Sequence, residues 1–283
     1  MDGFLLINKP EGITSREACD KVGKIFHTKK IGHVGTLDPF ATGLLILGIN
    51  KGTKCLTYFD ASDKTYIATL KLGKRTDSLD YTGEVVEQKE VPELKEEEIK
   101  KVLASFVGKS KQLPPMTSAI HIDGVRLYEL AHQGIEIDRP LKDIEVYGIN
   151  FVSYQNHELT FECHVSKGTY IRSLGLDIAI KLGTIGHLKA LCRKKIGLFS
   201  LNEAVNIEEV NENNIISSFS VLSKLCDTKI VSKKEAEDIK NGKIKYIKKD
   251  VSSDKLLIAD EEHNVIAMYV LEEGRYRFLR GLF

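Results

Sequence analysis

Lys30-Ile31-Gly32-His33-Val34-Gly35-Thr36-Leu37-Asp38-Pro39-Phe40-Ala41-Thr42-Gly43 runs straight into the apolar stretch Leu44-Leu45-Ile46-Leu47-Gly48-Ile49. Three glycines, one proline and one carboxylate share those first fourteen residues. Glycine opens backbone angles closed to other residues and lets a second chain approach closely. Pro39 pushes Asp38 out of the helical region, so Asp-Pro marks a turn. The pattern reads as one acidic side chain on a shaped loop, backed by a buried strand or helix. Two roles for Asp38 stay open at this level. It can cap the turn, as Asp often does, or it can be a reactive carboxylate.

The string Gly-His-x-Gly-Thr-Leu-Asp-Pro-x-Ala-Thr-Gly resembles the catalytic motif of the bacterial-type tRNA pseudouridine-55 synthases. These are the T-loop uridine isomerases of the pseudouridine synthase superfamily. The motif also resembles that of the related RNA-guided synthases. By this resemblance Asp38 is the catalytic aspartate. Asn8-Lys9-Pro10-Glu11-Gly12-Ile13-Thr14-Ser15 is similar to the family's first motif, where the Lys-Pro pair braces the floor of the site. Lys64-Thr65-Tyr66, with Leu72-Gly73 beyond it, is similar to the second. There the tyrosine stacks on the target uracil and can take the C5 proton. Ser166-Lys167-Gly168-Thr169-Tyr170-Ile171-Arg172 is similar to the third, whose arginine pairs with the catalytic aspartate. His187-Leu188-Lys189-Ala190-Leu191-Cys192-Arg193 resembles the last core motif, with Leu191 as the apolar wall of the pocket. Cys192 stands where the family commonly has arginine. The resemblance spans about residues 2–199, and the loop Thr76 to Gly83 shares it. It implies a catalytic set of Asp38, Tyr66 and Arg172. It implies a substrate-binding set of His33, Tyr170, Leu191, Lys9, Lys167 and Arg193.

The chemistry suits those residue types. Turning uridine into pseudouridine breaks N1–C1′ and joins C5 to C1′ without net electron transfer, so no redox cofactor is expected, and no metal cluster is visible in the sequence. The reaction needs a carboxylate acting as nucleophile or base. It also needs a countercharge to keep that carboxylate ionised in a dry pocket. Arginine stays charged when buried.

Bulk properties bound the answer more loosely. The chain has 283 residues, 42% hydrophobic and 29% charged, with a net charge of +1. That is enough for one large domain or a large and a small one. The charge is segregated. Between His164 and Lys195 lie Lys167, Arg172, Lys181, Lys189, Arg193, Lys194 and Lys195 against the single acid Asp177, whereas Asp80 to Glu98 is mostly acidic. A basic face suits phosphate binding, and a solvated surface with uneven charge is the plainer alternative. The five cysteines, Cys19, Cys55, Cys163, Cys192 and Cys226, are scattered and odd in number. They suggest neither a disulfide framework nor a zinc site. Met1-Asp2-Gly3-Phe4 lacks the order of a signal peptide, and no apolar run nears the ~20 residues of a membrane span. The expected address is the cytoplasm.

Local patterns place the motifs. Gly3 to Asn8 reads as a buried strand. Thr14 and Glu17 form a capping box for a helix carrying Ala18, Val22, Ile25 and Phe26. Lys64 to Gly73 alternates as a strand. Glu96 to Phe106 reads as an amphipathic helix with acids in its first turn. Ile144 to Tyr154 and Glu158 to Val165 form a hairpin joined at Gln155-Asn156-His157. Ile171, Leu174, Ile178 and Leu182 mark a helix ending at Gly183, with Arg172 in its first turn. Lys109 to Pro140 reads as a long excursion from the core, mixing His121, Arg126, Tyr128, His132 and Arg139 with glycines. It resembles the family's thumb-like insertion that grips the tRNA elbow. Ser232 to Asn241 reads as a helix closed by Gly242. Lys255 to Ala259, Val265 to Val270 and Tyr276 to Leu279 read as strands.

The expected fold class is therefore α+β: a pseudouridine synthase fold with a mixed, mainly antiparallel central sheet flanked by helices, plus a small C-terminal PUA-like β domain. The expected division is 1–222 for the catalytic domain, with an RNA-gripping insertion at about 109–140, and 223–283 for the small RNA-binding domain. Lys240, Lys243, Lys245, Lys248 and Lys249 are its candidate phosphate contacts. The expected partner is tRNA through its T-arm, with a monomeric protein and no obligatory protein partner. Competing readings are a tRNA-binding folding factor with a silent site, an RNA-guided synthase subunit, and an aspartate-dependent hydrolase of small molecules.

Overall fold

The computed structural model describes residues 2–59, 62–116, 121–122, 125–126, 137–248 and 253–283. The first strand, β1 (Gly3–Lys9), leads through a turn into helix α1 (Ser15–Ile25). The capping box is formed: Glu17 N–H donates to Thr14 Oγ1 at 3.0 Å, and Thr14 N–H donates to the Glu17 carboxylate at 2.7 Å. β2 (Ile31–Val34) and β3 (Thr42–Ile49) flank the Asp38 loop. β4 (Lys64–Leu72) precedes a small ribbon, β5 (Lys74–Thr76) and β6 (Val85–Gln88). Helix α2 (Glu96–Ala104) is followed by β7 (Gly108–Gln112). The backbone pairs β8 (His121–Ile122) and β9 (Val125–Arg126) form a two-stranded ladder. β10 (Lys142–Gln155), β11 (Glu158–Val165), helix α3 (Ile171–Lys181) and β12 (Gly186–Ile196) complete the central part.

The central sheet has the order β14-β1-β3-β12-β4-β11-β10-β7, where β14 is Val205–Asn206, with β2 on β3 and β13 (Phe199–Ser200) on β12. Among the described strands of this sheet, only β1–β14 and β3–β12 pair parallel. The sheet is thus mixed and mainly antiparallel, as expected. Period-two alternation divides its core. Leu5 and Ile7 of β1 and Leu45, Leu47 and Ile49 of β3 face Ala18, Cys19 and Val22 of α1. Tyr66, Ala68 and Leu70 of β4, with Leu159, Phe161 and Cys163 of β11, face Ile99 and Leu103 of α2 and Leu174 and Ile178 of α3.

Three expected boundaries move for physical reasons. α2 stops at Ala104, because Ser105 Oγ bonds back to the Val102 carbonyl at 2.6 Å and Phe106 N–H bonds to Leu103, tightening the last turn. The β10–β11 turn is two residues, since Asn156 and His157 both take positive φ, 52° and 59°, the geometry that matches strand twist. Residues 109–112 belong to the sheet and pair with β10, so the excursion begins at Leu113. Most of its interior, including the side chains of His121, Arg126, Tyr128 and His132, lies outside the described residues, as does Lys249.

The C-terminal part forms a five-stranded sheet in the order β15-β17-β18-β19-β16. Its strands are β15 (Asp227–Val231), β16 (Tyr246–Lys248), β17 (Lys255–Asp260), β18 (Val265–Glu272) and β19 (Arg275–Gly281). Helix α4 (Ser218–Leu222) precedes it and helix α5 (Lys233–Lys240) is capped by Ser232. One face buries Ile258, Tyr269 and Tyr276 against Ala236 and Ile239. The other joins the central sheet: Leu257, Met268 and Leu282 share a core with Phe4, Phe59, Phe199, Val221 and Leu222. A sheet this small is marginal alone, and this shared core supplies what it lacks. Leu257→Ala should therefore destabilise the whole protein by about 2–5 kcal/mol. In denaturant titrations followed by circular dichroism, one cooperative transition should shift. A separate early transition for the C-terminal sheet alone would contradict the shared core.

Candidate active site

The Asp38 loop leaves β2 at Val34 and turns back into β3. The Asp38 carbonyl accepts from Ala41 N–H at 3.1 Å, closing a turn over Pro39 and Phe40. Its neighbours are pinned from several sides. Ser15, 1% exposed, holds both backbone groups of Leu37: it accepts from Leu37 N–H at 2.8 Å and donates to Leu37 C=O at 3.0 Å. The Pro39 carbonyl accepts from Gly12 N–H at 2.9 Å and from Lys9 Nζ at 3.3 Å. Lys9 also donates to the carbonyls of Pro10 and Ile13 at 2.8 and 2.7 Å. Desolvation lowers its ammonium to about pKa 8. Gly43 must be glycine, because a Cβ there would lie 2.4 Å from the Arg193 carbonyl of β12.

Arg172 enters from the first turn of α3. Its guanidinium meets Asp38 with two contacts, Nε to Oδ2 at 3.0 Å and Nη2 to Oδ1 at 3.1 Å. The remaining edge is held by the Ser78 carbonyl at 2.8 Å and by Asp80, whose Oδ2 is 3.5 Å away. The Asp38 side chain is thus engaged by an ion pair, which decides against a turn-capping role alone. The Arg172 side chain is 5% exposed and that of Asp38 35%, so the carboxylate is the open end of the pair. Burial pushes the Asp38 carboxyl above its ordinary value; Arg172 pulls it down, Asp80 pushes it up and Lys9 pulls it down.

Tyr66 lies on β4, 7% exposed. Burial raises its phenol, while the positive charge of Arg193 opposes the rise. The phenol is therefore neutral near pH 7. Leu191, on β12, is 6% exposed and packs in the same core as Leu37, Phe40 and Tyr66.

Two expectations are corrected. Arg193 does not face solvent for a phosphate: it is 1% exposed, with Nε on the Leu44 carbonyl and Nη2 on the Gly35 carbonyl, both at 2.8 Å. It braces the Asp38 loop from below. Nor is the run from Lys167 to Lys195 one basic face. Arg172 and Arg193 point inward, and Lys189 pairs with Glu158 at 2.8 Å. Lys167 and Lys195 are exposed. His33 is partly buried, with Nε2 3.2 Å from Thr36 Oγ1 and Nδ1 3.6 Å from Cys19 Sγ. Burial, then Arg193 and Arg16, lowers its pKa, so it is an uncharged imidazole. Tyr170 caps the start of α3 and lies half-buried, with Lys142 Nζ 5.9 Å from its ring centre.

Asp80, Ser15 and Gln112 were not singled out as site residues from the sequence. Asp80 sits in an acidic loop whose bend is forced by Leu79 at φ 64°. The signal for it was the Ser-Leu-Asp-Tyr-Thr-Gly turn chemistry. Among the described residues no group of three or more His, Cys, Asp or Glu is placed to hold a metal. No helix among them is long and apolar enough to cross a membrane.

Comparison with known proteins agrees with this geometry. A solved Cbf5-Nop10-Gar1 complex contains a chain that superposes with a TM-score of 0.75, over 99% of this chain and 85% of that one, at 21% identity. The fold is that of the pseudouridine synthases. The sequence model described as TruB family pseudouridylate synthase (N terminal domain) matches residues 23–171. A tRNA pseudouridine synthase B of Mesoplasma florum is 38% identical over 283 residues, 99% of this chain and 97% of that protein. The Acholeplasma laidlawii protein of the same name is 37% identical over the whole of both chains. That of Geobacter sulfurreducens is 44% identical over 75% of this chain and 70% of its own. The chain belongs to the TruB family.

The inward position of Arg193 has a measurable consequence. Arg193→Lys keeps the charge but loses the planar fork that reaches the Leu44 and Gly35 carbonyls. It should slow uridine conversion on the order of tenfold or more while the salt dependence of RNA binding stays as in wild type. A salt slope reduced by about one counterion, with normal turnover at saturating RNA, would restore the phosphate role.

Proposed function

We propose that this protein converts the T-loop uridine of tRNA, position 55, to pseudouridine. The observation that carries the reading is the two-point contact of Arg172 on Asp38, in a chain of the TruB family. The uracil leaves its stack and enters the pocket, at a cost of a few kcal/mol. The N1–C1′ bond breaks, the base turns, and C5 bonds to C1′. The C5 hydrogen leaves and N1 takes up a proton, so the atoms balance with no net electron transfer. Arg172 supports the ionised form of Asp38, the group that acts on the nucleoside. Tyr66 and Leu191 hold the detached base and exclude water. Tyr66 stacks on the base and is placed to take the C5 proton.

The wider reading belongs to the same proposal. Residues 1–222 form the catalytic unit and 223–283 a reduced PUA-like unit. Exposed Lys245, Tyr246 and Lys248, beside a cavity of about 340 Å³ lined also by Ile244, Arg277 and Phe278, suit an RNA strand. Lys240 and Lys243 already pair with Glu237 and Asp238, which weakens their claim as phosphate ligands. The protein acts as a monomer, without an obligatory protein partner, on tRNA in the cytoplasm. His33, Tyr170 and Lys167 line the approach to the pocket, His33 as a neutral hydrogen-bonding group. Identity of 37–44% to proteins named tRNA pseudouridine synthase B, against 21% to the Cbf5 complex chain, favours tRNA over an RNA-guided role.

Tritium at uracil C5 of a T-arm stem-loop tests the reading, since the isomerase must release it and a binding protein or hydrolase would not. Wild type should release it, and Asp38→Asn should release none while its Kd stays within about twofold. Substantial residual isomerisation by Asp38→Asn would remove Asp38 from the catalytic role.

A further inference from the structure

A two-point ion pair tolerates little displacement of either partner. Bidentate guanidinium–carboxylate contacts depend on both N···O distances and on coplanarity. On the Asp38 side, Ser15 fixes the preceding residue. On the Arg172 side, the fixing group comes from another part of the chain. Gln112 ends β7 and is 2% exposed. Its Oε1 accepts from Tyr170 N–H at 2.8 Å, and its Nε2 donates to Tyr170 C=O at 3.1 Å. Tyr170 is the N-cap of α3, and no side-chain bond of its own caps the helix. Its carbonyl also accepts from Leu174 N–H at 3.0 Å, so Gln112 holds the peptide that closes the first helical turn. The next residue continues the grip: Ser173 Oγ donates to the Leu113 carbonyl at 2.8 Å. Consecutive residues 112 and 113 therefore hold residues 170 and 173, on either side of Arg172. Beyond them the chain is seated by buried Pro114 and Pro115. Where the excursion returns, Lys142 lies over the Tyr170 ring.

We propose that Gln112 is a positioning residue for the reaction: by clamping the Tyr170 peptide, with Ser173–Leu113 as its second anchor, it sets the height and angle at which Arg172 meets Asp38. The inference rests on the catalytic reading of Asp38 and Arg172 and deepens it. Gln112 reaches neither the carboxylate nor the base. It acts through the helix start, where a small displacement lengthens both contacts at once. Misplacement of this kind can cost on the order of a hundredfold in rate. The same two hydrogen bonds could instead serve only to close the edge strand, in which case their loss would lower stability and leave the ion pair untouched.

The charged groups facing Asp38 are Arg172, Asp80 and Lys9, and only Arg172 depends on the clamp. Gln112→Met is close in size and removes both hydrogen bonds. In the full-length protein, carbon NMR titration of the Asp38 carboxyl should show its midpoint moved up by about one pH unit, as the arginine's pull weakens. The single-turnover rate on a T-arm stem-loop at saturating RNA should fall at least tenfold, with Kd within twofold. Should Gln112→Met fail to fold, Ser173→Ala removes the second anchor alone and carries the same two expectations in smaller measure. A wild-type midpoint and rate, with only the melting temperature lowered, would overturn the proposal. A shifted midpoint in a protein whose wild type releases no C5 tritium would uphold the clamp and overturn the isomerase reading instead.

Discussion

A carboxylate removed from water must be paired or protonated, and in this protein the rest of the site depends on that constraint. Asp38 is the partly exposed end of an ion pair whose other end, Arg172, is almost fully buried. The arginine is itself nearly buried and carries a second carboxylate, Asp80, on its far edge. Two acids thus share one guanidinium, and Lys9 adds a further positive charge under the loop. Removing one partner of such a group leaves an uncompensated charge, which costs several kcal/mol. The polar residues around the pair therefore do more than fill space. Ser15, Lys9 and Arg193 spend their hydrogen bonds on backbone carbonyls and amides of the Asp38 loop.

The electrostatics follow one pattern at both groups: burial raises the pKa and a nearby arginine opposes the rise. At Asp38 burial raises the carboxyl and Arg172 lowers it, so the working state is the one in which the pair is intact. At Tyr66 burial favours the neutral phenol against the pull of Arg193. The phenol of Tyr66 is thus an uncharged group on β4. The fold serves this arrangement directly. β3 and β12 run parallel where Gly43 meets Arg193, and α3 follows β11, so two strands, β12 and β4, separate the strand that carries the loop from the strand that leads into the helix.

Much of this was legible in the chain before any coordinates. Local pattern gave the Asp38 turn, the β4 strand and the helix start at Arg172; the joint significance of Asp38, Tyr66 and Arg172 and the mixed sheet came from the resemblance to the pseudouridine synthases. What escaped was whatever depends on a partner distant in sequence. Arg193 stands in a run of cations and read as a surface group; only the parallel contact of β12 with β3 turns it inward. Asp80 read as one acid among many, because its partner lies 92 residues along the chain, at position 172. Gln112 read as the start of an excursion, because edge-strand pairing to β10 gives no local signature in Lys-Ser-Lys-Gln. Helix and strand ends moved by one or two residues wherever a serine or an Asn-His turn completed the backbone's hydrogen bonds.

The central claim is that Arg172 serves Asp38 and not the RNA backbone. Single-turnover rates of Arg172→Lys across pH, with binding measured across salt, test it most directly. On the proposed mechanism Asp38 acts ionised, so activity is present above its folded pKa and is lost as pH falls through it. Lysine keeps the charge but cannot make the two-point contact. The account predicts a rate lowered at least a hundredfold, an acid limb displaced to higher pH, and an unchanged salt slope. Near-normal saturated rates with a slope smaller by about one counterion would contradict it and assign Arg172 to a phosphate.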